Sequence, residues 1–448
     1  MFSSRAVTSW ALKGAVVGAL SGPAWGNGRF PQAQHLVAGP GQTAEIVLVR
    51  ATFGLVASDD GGGRFRFLCE DFFEFLDGYD PAVAIGRDGT LLVGLPDGLI
   101  ATRDWCTTTR RDELRGQSVV DLTTDTTGSV VLAALVSRDV VPIARVARSV
   151  DGGQRFEVPR EGLENVRLDT VELAGSAPTR VYATGRVGEA GIAAVYRSDD
   201  GGVSWRRTAL DLGDAAGAYV SGVHPGRPDT LWLRVVRDLS DGGLSGGGSA
   251  LLRSDDGGET ATEVGRTRGP MRGFALSDDG ETVWMGGPDP RDGVLRSVGG
   301  AAFVQVGQRA VECMRQHAGT LWVCQTFVPG GVMLARSDDG GDRFVDALTF
   351  AALQGPPARC AAGSTMREVC PSRYAQVRAV IAPRADAGPA LDAGPDAGTG
   401  PPPPADCLCM AAPGSRGVRF PWGLGLALVA LGRRRRDNPL RDGLPSRR

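Results

Sequence analysis

Lysine is nearly missing from this chain of 448 residues: Lys13 stands alone, and the other strongly basic side chains are all arginine. Residues 14–448 therefore hold neither a P-loop phosphate lysine nor a Schiff-base lysine, which removes several enzyme classes. A formal net charge of −2 leaves no overall field to steer the protein onto nucleic acid. Histidine is as sparse. His35, His224 and His317 are too scattered to read as a metal set, and surface or hydrogen-bonded roles suit them better. No C-x-x-C pair is present, and no cofactor is implied. Near the C-terminus the apolar run FPWGLGLALVALG, 420–432, spans thirteen residues. As a helix it would cover about 20 Å of a hydrocarbon core of ~30 Å, which is short for a lasting membrane span.

What the chain has in abundance is glycine, 65 residues, with 28 prolines. Helix-favouring runs are few, so the composition points to short strands joined by tight turns, an all-β chain. One phrase recurs, S-x-D-x-G-x-x-aromatic. It is complete at Ser58, Asp60, Gly62 and Phe65; at Ser149, Asp151, Gly153 and Phe156; at Ser198, Asp200, Gly202 and Trp205; and at Ser337, Asp339, Gly341 and Phe344. A fifth copy, Ser254, Asp256 and Gly258, has Ala261 in place of the aromatic, and two decayed copies begin at Thr102 and Ser297. First residues at 58, 102, 149, 198, 254, 297 and 337 are separated by 44, 47, 49, 56, 43 and 40 positions. Such a period marks a β-propeller with one four-stranded blade per unit, and seven registers imply a seven-bladed β-propeller over 27–355. The glycine-rich stretch 240–250 lengthens one unit as a loop insertion.

The phrase has a local physical reason. A tight turn between the third and fourth strands of a blade leaves N–H groups unpaired, and short Ser and Asp side chains accept from them. Glycine supplies the positive φ, and the aromatic packs between adjacent sheets, contributing roughly 2 to 3 kcal/mol. Apolar segments such as TRVYATGRV (179–187) and DTLWLRVV (229–236) read as inner strands. MRGFALSDDGETVWMGG (271–287) contains Ser-Asp-Asp-Gly but reads as a hairpin rather than another copy. The four complete copies resemble the Asp-box repeat of sialidases, sortilin-type receptors, some glucanases and photosystem assembly factors. That resemblance implies a propeller whose recurring acids are structural turns, not a catalytic or calcium site, and it spans enzymes and binders alike.

Both ends of the chain carry targeting features. Residues 1–26 have a basic start at Arg5 and Lys13, an apolar stretch from Ala15, and small residues at Ala24 and Gly26, the layout of a secretory signal cleaved after Gly26. The alternative is a frayed N-terminal helix. Eight cysteines in close groups suit an oxidising compartment. Cys313 and Cys324 would face each other across a hairpin turning at Ala318-Gly319. Cys360 and Cys370 are expected to close a small loop in an extension over 356–382, and Cys69 and Cys106 to tie the first two units, with free buried thiols as the alternative reading.

Residues 383–406, rich in Asp-Ala-Gly and proline, read as a disordered linker. After it, Cys407 and Cys409, the apolar run 420–432 as a short hydrophobic helix, and Arg433 to Arg436 complete 407–448. This order resembles the MYXO-CTERM sorting tag of myxobacterial surface proteins. The resemblance implies transient membrane anchoring, cleavage near Cys407 and Cys409 by a sorting protease, arginines on the cytoplasmic side, and a mature protein at the cell surface or outer membrane of a Gram-negative bacterium. A metal site at Cys407 and Cys409 is the rival reading, and no other ligands lie nearby.

Three functions follow from these features. The first is a noncatalytic surface propeller that binds a protein or glycan partner. The second is a sialidase-like glycoside hydrolase, for which Arg29-Phe30-Pro31 partly matches the family's early Arg-Ile-Pro motif, with Tyr182 and Tyr219 the available tyrosines; Tyr196 sits beside a turn. The third is a structural envelope scaffold. No catalytic constellation can be assembled from spacing alone, so the noncatalytic reading leads.

Overall fold

The computed structural model describes residues 31–74, 79–237 and 248–382. The signal segment 1–26, the linker 383–406 and the tag 407–448, with Cys407, Cys409 and Arg433 to Arg436, lie outside the described residues. Seven four-stranded sheets follow one another along the chain, each built from four consecutive strands. They span 33–68, 83–110, 118–164, 166–207, 217–266, 273–307 and 313–349, here blades 1 to 7. The first strand of each blade packs against the first strand of the next. That of blade 7 (Cys313–His317) packs against that of blade 1 (Ala33–Ala38), and the ring is closed. The protein is a seven-bladed β-propeller.

Polarity changes from the hub outward. Val131–Val136, a second strand, is buried at every position because both faces of its sheet are covered by neighbouring blades. Its unbroken apolar run is what such a strand requires. Thr262–Arg266, a fourth strand, is largely exposed and correspondingly polar. Buried clusters fill the seams between blades: Leu92, Val119 and Val131 between blades 2 and 3, and Trp284, Val294 and Leu321 between blades 6 and 7. Each fully buried Val, Leu or Phe contributes roughly 1.5–3 kcal/mol.

The recurring turns join third and fourth strands. At Ser198 the hydroxyl accepts from Gly202 N–H at 2.9 Å and donates to Asp200 at 2.8 Å, and Asp200 accepts from Ser204 N–H at 2.9 Å. The same arrangement holds at Ser58, Ser149, Ser254 and Ser337. Ser254 keeps it without its aromatic. Of the aromatics, Phe65 and Phe156 are buried, while Trp205 and Phe344 are half-buried. The decayed copies differ: Asp104 still caps Cys106 and Thr107 N–H, whereas the Ser297 hydroxyl turns to the Ala301 carbonyl. In five blades the turn is also pinned to the first–second turn of its own sheet, as by Gly61 N–H to the Glu45 carbonyl at 2.8 Å and Gly201 N–H to Thr179 at 2.8 Å. The hairpin at 273–286 turns through Ser277 and is separate from the recurring turn.

After blade 7 the chain doubles back over blade 1 as a strap, 353–382. Gln354 exchanges main-chain hydrogen bonds of 3.0 Å with Phe65 and Phe67, and the helix Cys370–Ile381 follows. Cys313 and Cys324 are bonded, opposite each other in one hairpin with Cα atoms 4.9 Å apart. The other two expected pairings are wrong. Cys69 is bonded to Cys370 and Cys106 to Cys360, so Cys360 and Cys370 do not close a loop on themselves, nor does Cys69 meet Cys106. The strap lies across blades 1 and 2, and each of its cysteines meets whichever blade runs beneath it. Three disulfides are consistent with an oxidising environment.

Candidate functional site

The hub of the ring holds a cavity of about 310 Å³ walled by the first strands of all seven blades. Thr126, Pro225 and Asp278, from turns after first strands, form its rim. Four of the first strands carry β-bulges, at Gln34, Val120, Asp169 and Ser221. A bulge inserts one residue and re-aims those that follow, which is how an otherwise alternating strand turns a polar side chain into a hub.

The ionisable groups of the wall are His35, Asp121, Glu172 and Arg315, with Asp125 and Asp278 nearer the rim. Asp121 in blade 3 accepts from Val171 N–H of blade 4 at 2.8 Å. Glu172 in blade 4 accepts from the Thr123 hydroxyl of blade 3 at 2.9 Å. Each acid is thus held by the other's blade. Burial pushes Asp121 up to about 7, and the neighbouring Glu172 adds to it, against hydrogen bonds from Val171 and Leu122. Burial likewise pushes Glu172 up to about 7, with Thr123 and Arg315 pulling the other way. His35 is exposed along the channel yet surrounded by protein, and this enclosure, with Arg50 and Arg315 beside it, lowers its imidazole to about 3. At neutral pH the cavity therefore presents a neutral imidazole, a guanidinium and a carboxyl pair poised between its protonated and ionised forms. Such carboxyls both donate and accept hydrogen bonds. Phe274 and Leu276 supply an apolar side to the same wall.

The residues singled out in the sequence lie elsewhere. The recurring serines and aspartates are spent on turns; hydrogen bonds from Thr260 hold Asp256 down at about 2. Tyr182 is fully buried and donates to the Pro228 carbonyl at 2.7 Å, so it cannot reach a ligand in the hub. Tyr196 is buried, and Tyr219 lies beneath the Arg234 guanidinium, 4.3 Å away. Arg29 is outside the described residues. His224 accepts from Gly226 and Arg227 N–H, His317 sits 3.0 Å from the Ala44 carbonyl, and only His35 lines the cavity. Among the described residues no three His, Cys, Asp or Glu side chains converge as a metal site, and no helix is long and apolar enough to cross a membrane. Asp121 and Glu172 were not singled out from the sequence, although a lone acid between valine and leucine in VVDLTT and TVEL marks a charge set among strand-forming apolar residues.

The chain matches no protein-family model and no curated protein. Solved structures do resemble it. The GH74 enzyme of Niastella koreensis is 13% identical with a TM-score of 0.34, the match covering 74% of this chain and 65% of that one, so this chain spans just under two thirds of the enzyme. Hydrazine synthase of Kuenenia stuttgartiensis is 10% identical with a TM-score of 0.46, covering 70% and 96%. A Hadza microbial sialidase is 15% identical with a TM-score of 0.36, covering 61% and 64%. Likeness at this level concerns the fold alone.

Proposed function

We propose that this is an exported cell-surface propeller that binds a glycan in its central cavity without cleaving it. The observation that carries the reading is the cavity wall: Asp121, Glu172 and Arg315 beside hydroxyls of Thr123 and Ser221, with Phe274 on one side. A saccharide offers many hydroxyls that both donate and accept, and apolar ring faces that pack on an aromatic. The turns carry the Asp-box residue pattern with its acids committed to the backbone, which leaves the hub as the place for recognition. Export is supported by the signal layout at 1–26 and by the disulfides. Surface sorting is supported by the order of Cys407, Cys409, the apolar run and Arg433 to Arg436. The strap's last residues suit display, because Ile381 docks on Gly330 in the second–third turn of blade 7, at the opposite strand ends from the cavity rim.

Titration calorimetry of the secreted protein against neutral, amino and acidic oligosaccharides tests this. At least one should bind, and Asp121→Asn with Glu172→Gln should weaken it about tenfold or more, since each amide keeps its cross-blade acceptor oxygen but turns the other oxygen into an NH2 that cannot accept from a saccharide hydroxyl. Release of reducing ends would instead indicate a glycoside hydrolase, and binding of no saccharide at all would leave the scaffold reading.

A further inference from the structure

We propose that residues 353–382 are a redox latch: the Cys69–Cys370 and Cys106–Cys360 bonds hold the seam between blades 7 and 1 shut, and reducing them opens the ring there. Every blade is made of consecutive strands, so no sheet contains strands from both ends of the chain. A ring assembled in this way has one seam that no blade-to-blade connection crosses. The strap spans it. Its fastenings are the Gln354 bridge to Phe65 and Phe67, the ion pairs Arg373–Asp71 at 2.7 Å and Arg359–Asp59 at 3.7 Å, and two disulfides spanning 301 and 254 residues. Met366 and Ile381 of the strap are fully buried in a single cluster with residues of blades 1, 2 and 7. The exposed ion pairs are individually weak, and the two disulfides add a covalent hold to the buried contact that Met366 and Ile381 make.

The same seam cuts through the cavity. His35 and Val37 come from blade 1, Arg315 and Gln316 from blade 7, and opening the seam parts Arg315 from the His35 it sits beside. Latching therefore governs ligand binding as well, a consequence that rests on the glycan reading, whereas the latch itself does not. Cys106 is half-buried while Cys69, Cys360 and Cys370 are buried, so reduction begins at Cys106. A dithiol's thiolate attacks the Cys106 sulfur and displaces the Cys360 thiolate. The reductant's second thiol then resolves the mixed disulfide, leaving Cys106 reduced and the reductant as a cyclic disulfide. Closure on export is the reverse exchange with a disulfide oxidant.

The test is hydrogen exchange and trypsin digestion of the folded secreted protein with and without dithiothreitol, in wild type and in Cys313→Ala/Cys324→Ala, where the latch bonds are the disulfides left among the described residues. Trypsin cuts after arginine, and the strap offers Arg359, Arg367, Arg373 and Arg378, so peptides ending at these four, identified by mass, report its release. Reduction should speed exchange at least tenfold in Ala33–Ala38 and Cys313–His317, leave blades 3 to 5 unchanged, and add cuts at the strap arginines that are absent without reductant. Cys106→Ser/Cys360→Ser should show an intermediate response before any reductant is added. Unchanged exchange after both bonds are shown reduced by mass, or loss of all blades together, would overturn the latch. A latch that opens as described in a protein that binds no saccharide would overturn only the glycan reading.

Discussion

Trp284 of blade 6 donates its indole N–H to the Gly340 carbonyl of blade 7 at 2.8 Å, and Arg296 of blade 6 donates to that carbonyl at 3.0 Å. A recurring turn in one blade is thus read by the blade before it. Replacing the indole by Trp284→Phe removes one donor and leaves a small void. The expected cost is about 1–2 kcal/mol, read as a lowered denaturation midpoint. An unchanged midpoint would show that Arg296 alone satisfies the carbonyl.

The paired glycines of the turn have different jobs. Gly61 and Gly62 both have positive φ, 70° and 88°, but a Cβ on Gly61 would meet nothing within 4 Å, whereas one on Gly62 would lie 2.6 Å from the Trp322 ring of blade 7. Gly61→Ala should therefore cost only the conformational penalty, about 1 kcal/mol. Gly62→Ala must also move the Trp322 indole and should cost roughly 2–4 kcal/mol. Equal losses in chemical denaturation would refute the inter-blade contact as the reason for glycine.

The buried serines should matter more where the network is whole. Ser198→Ala strands Gly202 N–H and takes one of several donors from Asp200, for about 1–2 kcal/mol. Ser297→Ala, in the decayed copy that lacks the aspartate, loses only its bond to Ala301 and should cost about 0.5–1 kcal/mol. Thermal unfolding of the two variants side by side checks the order.

The cavity acids set a pH dependence of known sign. Their ordinary values, ~3.9 for Asp and ~4.3 for Glu, hold in the unfolded chain. In the fold both lie at about 7. Between these values the native state binds more protons than the unfolded state, so stability falls as pH rises from about 4 to 7 and then levels off. Asp121→Asn/Glu172→Gln removes that loss, and its advantage over wild type should grow across the window by ~1–3 kcal/mol, the cavity's water screening the larger value. Parallel wild-type and variant curves in calorimetry across that range would sink the assignment.

The propeller was legible because its signal is local. The Ser, Asp and Gly of one turn bond within five residues, as Ser198 does with Gly202, so their spacing survives in the sequence and repeats once per blade. The hairpin disulfide Cys313–Cys324 was legible for the same reason, its partners being 11 residues apart.

Other features depended on where the ring brings distant strands. Cys69 and Cys370 are 301 residues apart and meet only because blade 7 returns to blade 1, a closure that no local pattern encodes. Asp121 and Glu172 read as ordinary strand residues until neighbouring first strands converge on one hub, each with a bulge that sets which side chains face it. Local hydrogen bonding, written in short spacings, determined the repeat and the turn chemistry. The strap's partners and the cavity's ionisable wall were decided by ring closure, because proximity across hundreds of residues is created by packing and not by sequence separation.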